Sequence, residues 1–195
     1  MTMTKIIKKF HAATDVDPHA EIYYVDPTDF TQQFLGSPNE GLISGSEYIK
    51  FFGYLRQQTN QPMIADGQSG FGNPLNTYFT VKEFEYYGAD IITINDQIFP
   101  SSTNQPKAAD KYDFAGRIKA AIDAHQAASS EIWAKFDCFE EYGEAGLMER
   151  FQMAEQLGID GAIFNRIPTD TINKITSSIK IATMNGDQAG QYHFE

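Results

Sequence analysis

Short β-branched and apolar runs recur along the chain, separated by longer stretches in which apolar residues return every three or four positions. The short runs predict strands at residues 21–25, 63–66, 91–95, 131–136, 161–165 and 179–184, with a weaker run at 6–12. The longer stretches predict helices near 46–58, 74–87, 110–127, 144–157 and 169–177. Several of these are well punctuated. Asn73-Pro74 sets a capping side chain before a proline at the first helical position, and Gly88 and Gly158 follow the last turns of their helices. Strands alternating with helices predict a parallel sheet covered by helices. Residues 100–111, rich in Ser, Thr, Asn, Gln and Pro, read as a mobile loop.

Composition narrows the picture. Of the 195 residues 42% are hydrophobic and 21% charged, which is a folded rather than a disordered balance, and no linker divides the chain, so residues 1–195 read as one domain. A formal charge of −11 excludes a nucleic-acid partner, because phosphate contacts need a basic face and Lys5, Lys8 and Lys9 form the only cluster. Cys138 is the single cysteine, so an intramolecular disulfide is excluded and a cysteine zinc site disfavoured. Neither a signal peptide nor a run of membrane-spanning length is present in the sequence, and the reading is a cytoplasmic protein without membrane partners.

The chemistry gathers where strands end. Asp26, Asp66, Asn95-Asp96, Asp137, Asn165 and Asn185 each close or follow a predicted strand. In parallel βα folds all these ends share one face, where loops build the active site. Asn and Asp also favour turns at strand exits, so the pattern fits a structural role as well. Gly67-Gln-Ser-Gly70-Phe-Gly72 lies between a strand and a helix but has neither dinucleotide nor P-loop spacing. The four histidines, His11, His19, His125 and His193, have no metal-ligand spacing.

The run Met63-Ile-Ala-Asp66-Gly-Gln-Ser-Gly70-Phe-Gly72-Asn73, followed by Gly88-Ala-Asp-Ile-Ile-Thr-Ile-Asn95-Asp96-Gln97-Ile-Phe-Pro100, resembles the phosphoenolpyruvate mutase/isocitrate lyase superfamily. That family carries Asp-x-Asp-x-Gly-Tyr-Gly-Asn at one strand end and Glu-Asp-Gln or Glu-Asp-Lys before a proline at the next. Leu35-Gly36-Ser-Pro38-Asn39, Lys135-Phe-Asp137 and Gly158-Ile-Asp160-Gly-Ala-Ile-Phe164 extend the similarity over most of the chain. The resemblance implies a TIM-type (β/α) barrel that uses magnesium and backbone donors to hold the enolate of a 2-oxo acid while a C–C or P–C bond is made or broken.

Departures from the family pattern alter that expectation. Asp66 matches the first acid of the Asp-x-Asp pair, but Gln68 replaces the second, Asn95 replaces the glutamate and Asn39 an upstream acid. An amide offers a hard Mg²⁺ ion a carbonyl oxygen without negative charge, so the implied magnesium site, with Asp66 as its remaining ligand, is weakened. Lys135 stands in place of arginine, and Pro27-Thr28 where the family has Ser-Gly. The Lys-x-Cys-Gly-His segment of the lyase branch is missing after Pro100. Asp66, Asp96 and Lys135 are therefore the expected catalytic residues, and Thr28, Asn39, Gln68, Asn95, Asn104 and Asn165 the expected substrate contacts. Two functions follow: a diverged lyase or phosphonomutase-type enzyme acting on a small 2-oxo acid or phosphonate, or a catalytically silent barrel serving as a binding or assembly subunit. The ligand class is a small carboxylate or phosphonate in either case.

Seven strand candidates fall short of eight, and a (β/α)₈ barrel usually takes ~250 residues. The sequence therefore predicts a barrel incomplete or shortened at both ends, with a second copy or another chain covering the open edge.

Overall fold

The computed structural model describes residues 5–17, 19–184 and 190–194. Eight parallel strands close a barrel in sequence order: β1 (Lys5–Lys9), β2 (Ile22–Val25), β3 (Met63–Asp66), β4 (Ile91–Asn95), β5 (Glu131–Phe136), β6 (Gly161–Asn165), β7 (Lys180–Met184) and β8 (Tyr192–Phe194). The helices are α1 (Pro27–Leu35), α2 (Gly45–Arg56), α3 (Pro74–Tyr86), α4 (Lys111–Ala124), α5 (Phe139–Leu157) and the single turn α6 (Thr169–Ile172). Among the described residues no helix is long and apolar enough to cross a membrane.

The expectation of an open barrel is overturned. β8 pairs with β7 through Ala182 and Thr183 and with β1 through Lys5, Ile6 and Ile7, so the sheet has no edge for a partner to cover. The sequence hid this strand because it is three residues long, below the length at which alternation becomes readable. The barrel closes in a short chain because β1 and β2 are linked through a 3₁₀ turn (Ala13–Asp15) rather than a full helix. Asn185, expected at a strand exit, lies outside the described residues.

Helix α1 was also missed, although its ends are written in the sequence. Asp26 accepts the Thr28 N–H as an N-cap, Pro27 takes the first helical position, and Gly36 ends the helix at φ 68°. Two helices are shorter or longer than expected. α6 covers Thr169–Ile172 rather than 169–177, and α5 starts at Phe139, with a break at Gly143 (φ 64°, ψ −168°) just before the expected start at 144.

Alternation along the strands sorts two cores. Ile7, Ile22, Tyr24, Ile64, Ile91, Trp133, Ile163, Ala182, Tyr192 and Phe194 fill the barrel interior, while a larger cluster, including Tyr23, Phe52, Phe84, Phe114, Phe136 and Phe164, packs the helices on the outside of the sheet. Trp133 fits inside because β6 begins with glycine: a Cβ at Gly161 would lie 2.4 Å from the indole. The middle of the interior is thus a filled apolar plug, with the Glu131–Lys180 pair below it and the polar side chains of the C-terminal mouth above.

Candidate active site

On β2, β3, β5 and β6 the residue two positions beyond an apolar inward residue is polar. From β2, β3 and β5 respectively, Tyr24, Asp66 and Lys135 meet in the mouth, all buried. Lys135 Nζ lies 2.8 Å from Asp66 Oδ2, 3.0 Å from the Tyr24 hydroxyl and 3.7 Å from Asp137 Oδ2. Tyr24 donates its hydroxyl proton to Asp66 Oδ2. The other oxygen of Asp66 accepts the Gln68 N–H at 2.8 Å and the Thr93 hydroxyl at 3.3 Å. Asp137 is equally engaged, with Gln97 Nε2 on one oxygen and Asn165 Nδ2 on the other, both at 2.8 Å.

The electrostatics follow from this crowding. Burial alone would drive Lys135 to its neutral form, yet Asp137, Asp66 and Asp26 keep the ammonium charged and raise its pKa well above the usual lysine range. Burial, reinforced by Asp66 and Asp26, pushes the Tyr24 phenol far up, so it stays protonated. Asp26 follows β2 at the rim. Burial works against its charge, but Lys9, 2.9 Å away, and Lys135 hold its carboxyl below the usual range.

The loop after β3 is strained. Gln68 (φ 51°) and Phe71 (φ 54°) adopt left-handed conformations that cost non-glycine residues about 1 kcal/mol or more each. Gly70 allows the loop to fold onto α3, since a Cβ there would lie 2.0 Å from Thr77 Oγ1. The Gln68 side-chain amide is buried, with neither Nε2 nor Oε1 hydrogen-bonded. Its backbone carbonyl accepts the Asn95 N–H at 2.7 Å. Asn95 in turn donates to Ser101, whose hydroxyl accepts the Ser69 N–H, so Asn95 ties the loops after β3 and β4 together.

Asp96 faces away from the ion pair. Its carboxylate accepts the Asp137 N–H at 3.0 Å and the Tyr142 hydroxyl, and the Tyr142 ring stacks 4.7 Å from the Arg150 guanidinium. Burial first and the charge of Asp137 second push its pKa up to about 6.

Loop 100–111, expected to be mobile, is anchored at several points. Ser102 N–H donates to Gln97 Oε1, Ile98 N–H to the Lys107 carbonyl, and Thr103 donates both its N–H and its hydroxyl to Glu40. The Thr28 hydroxyl is 2.8 Å from that of Thr103, which brings Thr28 to this loop. Asn39 does not enter the mouth. It is exposed and caps the turn Glu40–Leu42, while Glu40, one residue on, is buried. Above Asp137 and Asn165 opens a cavity of about 250 Å³, also lined by Asn104, Gln105, Cys138 and Arg166. Arg166 sits at φ 56°, a strained turn at the exit of β6.

The structure therefore gathers Asp66 and Lys135 in one network, sets Gln68 and Asn95 beside it, and puts Asn104 and Asn165 at the cavity. Sequence reasoning missed Tyr24, Gln97, Glu40 and Arg166. Tyr24 was accessible by strand parity, being two residues before Asp26; Arg166 carried no signal beyond following Asn165.

A closed parallel barrel with an ionic cluster at its C-terminal mouth defines the class as a TIM-type α/β barrel with an enzyme-like site. The family model described as phosphoenolpyruvate phosphomutase matches residues 31–187, and the chain belongs to this phosphoenolpyruvate mutase/isocitrate lyase group. A 2,3-dimethylmalate lyase of Eubacterium barkeri is 30% identical over 129 residues, covering 65% of this chain and 45% of the relative. The chain spans about half the length of the curated relatives it matches. Among solved structures, a phosphoenolpyruvate phosphomutase of Streptomyces platensis subsp. rosaceus superposes with a TM-score of 0.89 at 17% identity, over 98% of this chain and 76% of its own. A phosphonopyruvate hydrolase in complex with oxalate and Mg²⁺ gives 0.82 at 18% identity, over 93% and 67%.

A magnesium ion does not fit the residues present. Four donors already fill the roughly four acceptor directions of Asp66. Among the described residues no three His, Cys, Asp or Glu side chains are grouped to hold a metal. Lys135 already holds the Asp66 oxygen that such an ion would need, and its ammonium would repel a cation placed there.

Proposed function

We propose that this chain acts on a small 2-oxo carboxylate at the barrel mouth, stabilising an enolate as a bond to the carbon beside the ketone is broken. The observation that carries this reading is the Lys135 ammonium, fixed by Tyr24 and Asp66 with its third N–H left for a ligand, since Asp137 at 3.7 Å is beyond hydrogen-bond reach. As the bond breaks, its electron pair moves onto the ketone oxygen, and the negative charge that develops there is met by Lys135 in a buried setting where such a charge is strongly stabilised. Arg166 and the amides of Asn104 and Asn165 would orient the substrate's carboxylate across the cavity. Asp96 and Tyr142 act at a distance, by fixing the Asp137 backbone.

The same saturation of Asp66 and Asp137 favours a second reading, a silent barrel that binds such a ligand without turning it over. Oxaloacetate decarboxylation, followed as pyruvate release, separates the two. Turnover that falls at least tenfold in Arg166→Gln, with unchanged stability of that exposed position, supports the enzyme. Ligand binding without turnover supports the silent barrel, and neither binding nor turnover refutes the assignment of this mouth.

A further inference from the structure

We infer that this mouth binds its carboxylate ligand without a divalent cation, the Lys135 ammonium serving as the resident positive charge and the Gln68 amide as a neutral donor beside it. The inference rests on the ligand class proposed above. Two independent features of the structure support it.

The first is the ion pair itself. Lys135 is on the inward face of β5, and its ammonium takes up Asp66 Oδ2, the one acid that could have anchored a metal from β3. Both oxygens of that acid are committed, one to Lys135 and Tyr24, the other to the Gln68 N–H and Thr93. The aspartate thus balances a built-in cation. What Lys135 can still offer a bound anion is its remaining N–H, a charged donor on a side chain that cannot be chelated away.

The second is Gln68. A buried amide with no partner on either its nitrogen or its oxygen is costly, and here it lies on a backbone turned into the left-handed region. Glutamine at this position supplies an N–H donor that an acid could not. A carboxylate accepts hydrogen bonds only, so an amide N–H and an ammonium N–H suit it directly, whereas a carboxylate at residue 68 would repel it unless a metal stood between. The backbone N–H of Gln68 and the Lys135 ammonium both bond Asp66, so the residue that carries the amide sits beside the ion pair.

The test uses the full chain with oxalate as the probe, and reads thermal unfolding and titration calorimetry in excess EDTA and in excess MgCl₂. The expected result is the same oxalate-induced rise in Tm in both buffers, no shift with MgCl₂ alone, and at least tenfold weaker oxalate binding in EDTA for Gln68→Ala. Lys135→Met should abolish the oxalate response. If that variant does not fold, Gln68→Ala carries the test, since its side chain holds no structural hydrogen bond. An oxalate response that appears only with MgCl₂ overturns the inference while leaving the ligand assignment intact. No response in either buffer overturns both.

Discussion

Replacing Lys135 by methionine keeps length and volume but removes the charge that neutralises Asp66 and Asp137. At an effective dielectric of ~20 the gross attractions at 2.8 and 3.7 Å are about 6 and 4 kcal/mol, and most of each is offset by the cost of burying the ions. What remains is the penalty for leaving buried carboxylates without a cation, ~3–5 kcal/mol at neutral pH. For a chain of this size that corresponds to a fall in Tm of roughly 6–20 °C. The pH dependence has a definite sign. In the wild type the raised lysine pKa means that its contribution is complete below the unfolded-state value near 10.5 and is lost only as pH rises through the higher folded value. In the variant the buried negative charge has lost its cation, and the penalty of that charge is greatest at neutral pH and is relieved by acid. The deficit should therefore be largest near pH 8 and shrink toward pH 4.5, and adding Asp66→Asn to Lys135→Met should recover part of it. Urea denaturation of the wild type, the two single variants and the double variant at both pH values measures this. A deficit below ~1 kcal/mol at pH 8, or one that does not change with pH, would show that the ion pair is not what stabilises the mouth.

Three further outcomes are expected. Asp96→Asn should gain stability relative to wild type as pH rises from 4 to 7, because a carboxyl pushed up to about 6 is protonated more readily in the folded state and its ionisation costs ~3 kcal/mol; parallel pH profiles in chemical denaturation would contradict this. Gln68→Gly should stabilise the fold by about 1 kcal/mol by releasing left-handed strain and an unpartnered amide, while weakening oxalate binding, and a loss of stability above that size would count against strain at this loop. Gly161→Ala should cost ~3 kcal/mol or more, since the new methyl would overlap Trp133, and a wild-type Tm with unchanged near-ultraviolet dichroism would refute that packing.

Much of the site was legible in the sequence because the strand-exit rule works on one residue at a time. Asp66, Asp137 and Asn165 each close or follow a strand whose β-branched run is easy to read, and a parallel barrel brings them to one face without further information, whereas Lys135 was singled out by the family resemblance. What the rule cannot supply is direction. Asn95 and Asp96 are adjacent, so only one can point inward, and it is Asn95 that joins the loops of the mouth while Asp96 turns to α5. Asn39 and Glu40 were separable only through the 3₁₀ turn that buries the second of them. Helix α1 carries the same proline and glycine punctuation as α3, but Pro27-Thr28 was weighed only as a replacement for the family's Ser-Gly and not as a helix start. β8 was illegible for a different reason: its place is decided by β1 and β7, and three residues hold too little pattern to announce it.

The seam between β1 and β8 has a consequence for how the chain folds. Every other neighbouring pair joins strands adjacent in sequence, whereas this one brings residues 5–7 to residues 192–194 through three pairings. From an open coil such a contact would cost ~5 kcal/mol or more in loop-closure entropy, more than so few pairings return. It becomes favourable once the intervening strands have curled and shortened the effective gap, so the seam should form last and open first, as a local unit below the global unfolding energy. Phe194 meets the edge of the Tyr24 ring at 5.1 Å, and Tyr24 in turn holds Asp66 and Lys135. The least cooperative strand of the barrel thus lies a single side chain away from the buried ion pair, and breathing at the seam should loosen the packing that holds the ammonium in place.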